Sequence, residues 1–205
     1  EASNDPQSSI DLYMIKKARI AVLASGSGTN AEVIFGYFRN HPVIEVVLLL
    51  CNNPEAQVLR RAEKFDIPVR VIDRREFKDE IFMLDLLKSR QVTHLVLAGF
   101  LWLIPGYLVR AFPDRIVNIH PSLLPKHGGK GMYGMKVHEA VKQAGEDETG
   151  ITIHLVNEKY DEGKVLFQAT CPVSDSDSTE QIAAKVHQLE HNSYPKIIET
   201  WINNN

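Results

Sequence analysis

The amino-acid sequence predicts an α/β fold in a single domain: a mostly parallel sheet flanked by helices, with an antiparallel C-terminal hairpin and a final long helix. Three observations carry the prediction. Short runs that are apolar throughout alternate with stretches of helical periodicity, the pattern of parallel strands covered on both faces. The last two strand-like runs are joined by a turn and read as an antiparallel pair. A chain of 205 residues with 44% apolar and 24% charged side chains has ordinary globular composition and no linker, so one core is expected.

The run 19–24 is apolar after its first residue and meets Ser25-Gly26-Ser27-Gly28-Thr29-Asn30; Val33, Ile34, Tyr37 and Phe38 then mark a helix over 29–39. The unit recurs: 43–51 is a nearly continuous β-branched and Leu run, 54–65 is helical and 69–72 strand-like. Phe77, Ile81, Leu84 and Leu87 place one helix over 76–90, feeding the strand 93–98. The strand 115–120 must stop at His120, because Pro121 has no N–H for a ladder. A loop rich in Pro, Gly and Lys, 121–134, leads to a helix over 135–144 and to the paired strands 150–156 and 164–173. Ser178 and Gln181 form a capping box for the last helix, whose expected buried stripe is Ile182, Val186, Leu189, Ile197 and Trp201 and which Pro195 is expected to kink. Such alternation makes the sheet Rossmann-like, with ligands outside the carboxyl ends of its strands.

A net charge of −3 offers no overall positive field for a nucleic-acid backbone, so nucleic acid is not expected as a partner. No apolar run approaches the ~20 residues of a membrane span, so no membrane partner is expected either. Two cysteines, Cys51 and Cys171, are too few for a secreted disulfide scaffold and read as reduced thiols of a cytoplasmic protein. Residues 1–14 read as a tag or disordered leader ending at a Met14 that looks like an initiator, leaving 15–205 as the folded domain.

Three places carry chemistry. The turn 25–30 lies between a strand and a helix, where free N–H groups and the helix dipole favour a phosphate. It is not a P-loop, since no Lys follows its second Gly; the second strand ends in Asn52 and Asn53 without the carboxylate a dinucleotide ribose requires, so a mononucleotide phosphate fits better. Asn118 and His120 are two apart on one strand, so both side chains face one way at its carboxyl end, where an amide and an imidazole N–H converge on an oxygen that becomes negative. A His with a reference pKa of ~6.5 is a weak cation at pH 7 unless a carboxylate raises it, and Asp161, before Glu162-Gly163 in the late hairpin turn, is the candidate; Gly163 allows the tight return.

These residues, Gly26-Ser-Gly-Thr-Asn30, Asn118-Ile-His120-Pro-Ser-Leu-Leu-Pro125 and Tyr160-Asp161-Glu-Gly163, resemble the glycinamide ribonucleotide formyltransferases of purine biosynthesis over 17–201. The resemblance implies transfer of the formyl group of 10-formyltetrahydrofolate to the primary amine of a phosphoribosylated glycinamide, without a metal. It implies that Asn118 and His120 stabilise the oxyanion and that Asp161 pairs with His120 and relays the amine proton. Gly28, Thr29 and Asn30 match the family's phosphate loop and Glu190 its ribose contact. Leu101, Trp102, Leu103, Ile104, Asn118, Val156, Tyr160 and Asp161 match the folate pocket, with main-chain groups near Trp102 and Ile104 meeting the pterin; many relatives carry a basic residue where Trp102 stands. A monomer or homodimer is expected.

The stretch 126–134 is longer and richer in Gly than its counterpart in several relatives, and is expected to be a mobile flap over the amine site; no role transfers to His127, Lys130 or Tyr133. Two kinds of rival remain open. His187-Gln-Leu-Glu190-His191 matches an inverted zinc-protease pattern but lacks an evident third ligand. Other formyl-folate transferases share the Asn-x-His-Pro segment, formyl-folate deformylases share the donor, and a non-catalytic nucleotide-binding module would use the Gly turn alone.

Overall fold

The computed structural model describes residues 17–204; the expected leader lies outside them. Seven strands form one sheet in the order β3-β2-β1-β4-β5-β6-β7. β1 (Ala18–Ala24), β2 (Ile44–Cys51), β3 (Val69–Val71), β4 (His94–Leu97) and β5 (Ile116–His120) pair in parallel. β6 (Glu148–Leu155) runs antiparallel to β5, and β7 (Val165–Pro172) antiparallel to β6. The order reverses between β1 and β4, so the connections leaving these neighbours diverge to opposite faces and open a crevice at their carboxyl ends.

Alternate residues of the inner strands feed two apolar layers, as the pleat dictates. Ile20, Val22 and Ala24 face α1 (Thr29–Phe38) and α7 (Thr179–Asn203), whereas Ala21 and Leu23 face the layer of α3 (Arg74–Lys78), α4 (Glu80–Ser89) and α5 (Gly106–Ala111). α2 (Val58–Glu63) packs beside α1, and α6 (Met135–Gln143) beside α7. The last helix is pinned by Tyr194, wholly buried, whose hydroxyl donates to the Leu97 carbonyl at 2.7 Å between β4 and β5.

Several expected boundaries shift. The stretch 54–65 is helical only over Val58–Glu63. The single helix expected over 76–90 is two, because Asp79 leaves the helical region (φ −80°, ψ 102°) and its carboxylate accepts from Phe82 N–H to cap α4. The short α5 was not foreseen, hidden behind Pro105 and Gly106. β3 is not buried on both faces: it is an edge strand, with Val69 and Val71 exposed. On α7 the buried line runs through Glu190, Tyr194 and Ile198, with Leu189 and Ile197 only flanking it; Pro195 lies inside the helix.

Candidate active site

The crevice at the β1/β4 reversal is a cleft of about 580 Å³ that runs from the Gly turn, past β4 and β5, to the β6–β7 turn. At one end Gly28 takes a left-handed φ of 74°, and a Cβ there would stand 2.3 Å from Val58 Cγ2, so both the turn and its packing on α2 demand glycine. The turn closes on β4 through Ser25, whose N–H donates to the Gly99 carbonyl at 3.0 Å and whose hydroxyl accepts from Leu101 N–H at 3.0 Å. Gly28, Thr29 and Asn30 line the cleft at the start of α1. Asn30 Nδ2 donates to Glu190 Oε2 at 3.0 Å, and burial pushes the Glu190 carboxyl up to about 7 against the downward pull of that amide.

At the other end β5 delivers Asn118 and His120, and the β6–β7 turn delivers Asp161. His120 Nδ1 lies 3.5 Å from Asp161 Oδ2, with the two side chains 5% and 11% exposed, so the carboxylate and ring meet almost without water. The sequence does not announce two further partners. His154 on β6 stands 3.6 Å from Asp161 Oδ1, and His127 offers its carbonyl to His120 Nε2 at 2.9 Å. His154 faces Asn118 because the two are directly paired across β5 and β6; a register for those strands would have exposed it.

These contacts fix the protons. His154 Nδ1–H donates to the Leu155 carbonyl at 2.9 Å, so its Nε2 accepts from Asn118 Nδ2 at 3.2 Å. That bond settles which way the Asn118 amide points and leaves its second N–H free for the cleft. His120 Nε2–H donates to the His127 carbonyl, so the nitrogen turned towards Asp161 is the bare Nδ1. Burial pushes the His120 ring down by more than Asp161 and the His127 carbonyl pull it up, so the expected pull of the carboxylate is present but does not win, and the resting ring is neutral. With Nε2–H given to the His127 carbonyl and a bare Nδ1 beside Asp161, His120 has no further N–H to donate until Nδ1 gains a proton. Burial pushes Asp161 up and the Gly129 N–H, which donates at 2.9 Å, pulls it down; His154 and His120 add to that pull when the nitrogen each turns to the carboxylate carries a proton.

The hairpin turn differs from expectation in one respect. Asp161 itself takes the left-handed backbone, at φ 56°, whereas Gly163 serves close approach: a Cβ there would lie 1.6 Å from the Leu155 carbonyl oxygen. A non-glycine residue in this region stores strain, here at the carboxylate that meets both imidazoles.

The wall between the two ends is apolar. Ile104 is buried and Val156 half-buried, while Leu101, Leu103 and Tyr160 stand exposed at the rim. Among the described residues no main-chain group of Trp102, Leu103 or Ile104 is paired within the protein, which leaves N–H and C=O groups for a flat heterocycle with donor and acceptor edges. Trp102 is not an isolated surface aromatic. It packs on Phe77 and Phe100, with the Arg74 guanidinium 4.7 Å over its ring.

The loop expected as a flap is tethered in its first half. Lys126 and His127 pair with Glu146 and Gly129 is tied to Asp161, whereas 130–134 lines the cleft held by local contacts alone, Met132 N–H to the Gly129 carbonyl and Lys136 over the Tyr133 ring. Among the described residues no group of three or more His, Cys, Asp or Glu side chains is placed to hold a metal, and His187, Glu190 and His191 gain no third ligand. No helix among them is long and apolar enough to cross a membrane.

A doubly covered parallel sheet thus carries a glycine turn at a helix start at one end of its crevice and an amide, an imidazole and a carboxylate at the other, a set that can donate to a developing oxyanion and move a proton. The chain belongs to the formyl transferase family, whose family model matches residues 18–198. It is 41% identical to a chloroplastic phosphoribosylglycinamide formyltransferase of Arabidopsis thaliana, over 89% of this chain and 65% of that protein. It is 34% identical to phosphoribosylglycinamide formyltransferase of Bacillus subtilis (strain 168), over 88% of this chain and 93% of that one. The solved structure of glycinamide ribonucleotide transformylase 1 from Geobacillus kaustophilus matches with a TM-score of 0.80 at 37% identity, over 89% of this chain and 97% of the other. The chain thus spans less than two thirds of the plant relative's length.

Proposed function

We propose that this chain transfers the formyl group of 10-formyltetrahydrofolate to the primary amine of glycinamide ribonucleotide, a step of purine biosynthesis, with residues 15–205 as the formyltransferase domain. The observation that carries the reading is Asp161, a charged carboxylate held between His120 and His154 beside the free amide N–H of Asn118. The relatives' names and the phosphate-type turn support the substrate. The unpaired main chain at 102–104 and the apolar wall of Leu101, Leu103, Ile104, Val156 and Tyr160 suit a pterin.

The attacking amine forms a bond to the formyl carbon while the C=O π pair moves onto oxygen. The second N–H of Asn118 donates to that oxygen. The amine, now carrying one proton too many, loses it to Asp161, which stands within reach of His120 Nδ1 and passes it there. The resulting imidazolium faces the oxyanion as a cation and a new donor, and carries the proton needed by the departing folate nitrogen when the C–N bond breaks. Gly28, Thr29 and Asn30 hold the phosphoryl group, and Glu190 accepts from ribose hydroxyls.

The reading keeps the enzyme in an aqueous compartment, the cytoplasm, as a monomer or homodimer without nucleic-acid or membrane partners. The test is an assay with 10-formyltetrahydrofolate and glycinamide ribonucleotide, each omitted in turn. Formylated product requires both; formate released without the amine acceptor points to a deformylase, and nucleotide binding without transfer to a binding module.

A further inference from the structure

We propose that Glu146, in the turn between α6 and β6, is a positioning residue for the reaction: it clamps Lys126 and His127 and thereby decides which nitrogen of His120 carries the proton. The inference rests on the proton relay proposed above and deepens it.

The backbone sets Glu146 in place. Gly145 takes the left-handed region at φ 66°, its N–H donates to the Lys142 carbonyl at 3.1 Å, and the Glu146 N–H donates to the Val141 carbonyl at 3.3 Å. This pair of bonds is the glycine-capped end of a helix, and it fixes the residue that follows the glycine. One carboxylate oxygen of Glu146 accepts from Lys126 Nζ at 2.8 Å and the other from His127 Nε2 at 3.3 Å.

His127 needs such a grip. It is a non-glycine residue at φ 54°, a conformation that holds only where the surroundings over-determine it. Gly128 and Gly129 follow, so the chain on that side adds little stiffness. The Ser122 hydroxyl donates to the Lys126 carbonyl at 2.7 Å, one peptide short of the His127 carbonyl. Among the described residues Glu146 is the polar partner of the His127 side chain, and through it the carbonyl is steered.

The grip controls a competition for the His120 proton. Asp161 Oδ2 lies 3.5 Å from Nδ1, and the His127 carbonyl lies 2.9 Å from Nε2. At equal distance the charged carboxylate is the stronger acceptor. Geometry lets the neutral carbonyl win, because 2.9 Å is an ordinary N–H···O length and 3.5 Å is beyond it. Once the carbonyl draws back, the proton moves to Nδ1 and is given to Asp161. The ring then offers no bare nitrogen to the carboxylate that delivers the amine proton. The same segment holds the other partner of the relay, since the Gly129 N–H donates to Asp161 Oδ2 at 2.9 Å.

The test compares the full chain with E146A and with E146Q, which keeps an acceptor oxygen for His127. Nitrogen NMR of the ¹⁵N-histidine-labelled proteins at pH 7 without substrates, with His120 assigned through H120Q, is expected to find the proton on Nε2 in wild type and E146Q and largely on Nδ1 in E146A. In initial-rate assays with formyl donor and amine acceptor, E146A is expected to lower kcat by about 10-fold and by no more than about 10²-fold, with both KM values within about twofold. E146Q is expected to stay within about threefold of wild type. A His120 proton on the same nitrogen in wild type and E146A, an unchanged kcat, a loss confined to KM, or an E146Q as slow as E146A overturns the proposal. The NMR arm needs no substrate, so a proton that moves in E146A while wild type transfers no formyl group contradicts only the assigned reaction. Formyl transfer by a wild type whose His120 proton is indifferent to Glu146 contradicts only the clamp.

Discussion

Replacing Gly163 by Ala puts a methyl carbon 1.6 Å from the Leu155 carbonyl oxygen and 3.4 Å from His154 Nδ1. A carbon and a carbonyl oxygen rest at about 3.3–3.6 Å, so the two strands must part by roughly 1.5–2 Å at this point. The Leu155 N–H that donates to the Lys164 carbonyl at 2.8 Å resists that parting, and Asp161 lies two residues away. A displacement of 1 Å in a reacting group costs on the order of 10²-fold in rate, so turnover is expected to fall by about that factor. The overpacking itself costs about 1–3 kcal/mol, which for a chain of this size lowers Tm by roughly 2–12 °C. Initial rates at saturating substrates, with thermal unfolding alongside, measure both. Turnover within about twofold of wild type and an unchanged Tm would refute the claim that the close approach at Gly163 sets the position of Asp161.

The control is Gly36→Ala in the last turn of α1, where a Cβ meets only Phe65 at 3.7 Å; it is expected to stabilise the fold by up to about 0.5–1 kcal/mol without changing the rate, read by the same two measurements. Asn118→Ala removes the oxyanion donor and is expected to lower kcat by about 10²–10³, whereas a loss confined to KM would contradict that role. Asp161→Asn removes the proton acceptor and the upward pull on His120, so kcat falls and the acid limb of kcat/KM moves to lower pH; an unmoved limb contradicts the coupling. Glu190 titrates near 7 when folded against an ordinary 4.5, so the folded state binds more protons than the unfolded one and loses stability as pH rises from 4.5 past 7. Glu190→Gln is therefore expected to be more stable than wild type at pH 8, by no more than about 3 kcal/mol, with little difference near pH 4 and a raised KM for the acceptor. Urea unfolding at the two pH values reads this out.

The parallel sheet and the three loops that form the cleft were legible because each rests on local chemistry. Apolar runs between helical stretches give the strands, Pro121 ends β5 at His120, and Ser178 with Gln181 caps α7. Asp79 broke the expected helix over 76–90 because an Asp that accepts from its own downstream N–H competes with helix continuation, and apolar spacing does not register this. In the site, strand spacing picked out Asn118 and His120 and the hairpin turn offered Asp161, and the resemblance supplied their roles, but neither gave the protons they carry. The tautomer of His120 depends on a carbonyl seven residues away and its neutral state on burial, both products of tertiary packing. His154 escaped notice because a lone His in a buried strand reads as core; only the pairing of β5 with β6 sets it against Asn118.

The catalytic account starts from an uncharged His120 whose bare nitrogen faces a charged Asp161. Nitrogen NMR of the ¹⁵N-histidine-labelled chain at pH 7, with His120 assigned through His120→Gln, measures that state directly. The account predicts a neutral ring protonated at Nε2 that titrates below 6.5. A ring already doubly protonated at pH 7, or one carrying its single proton on Nδ1, would contradict it.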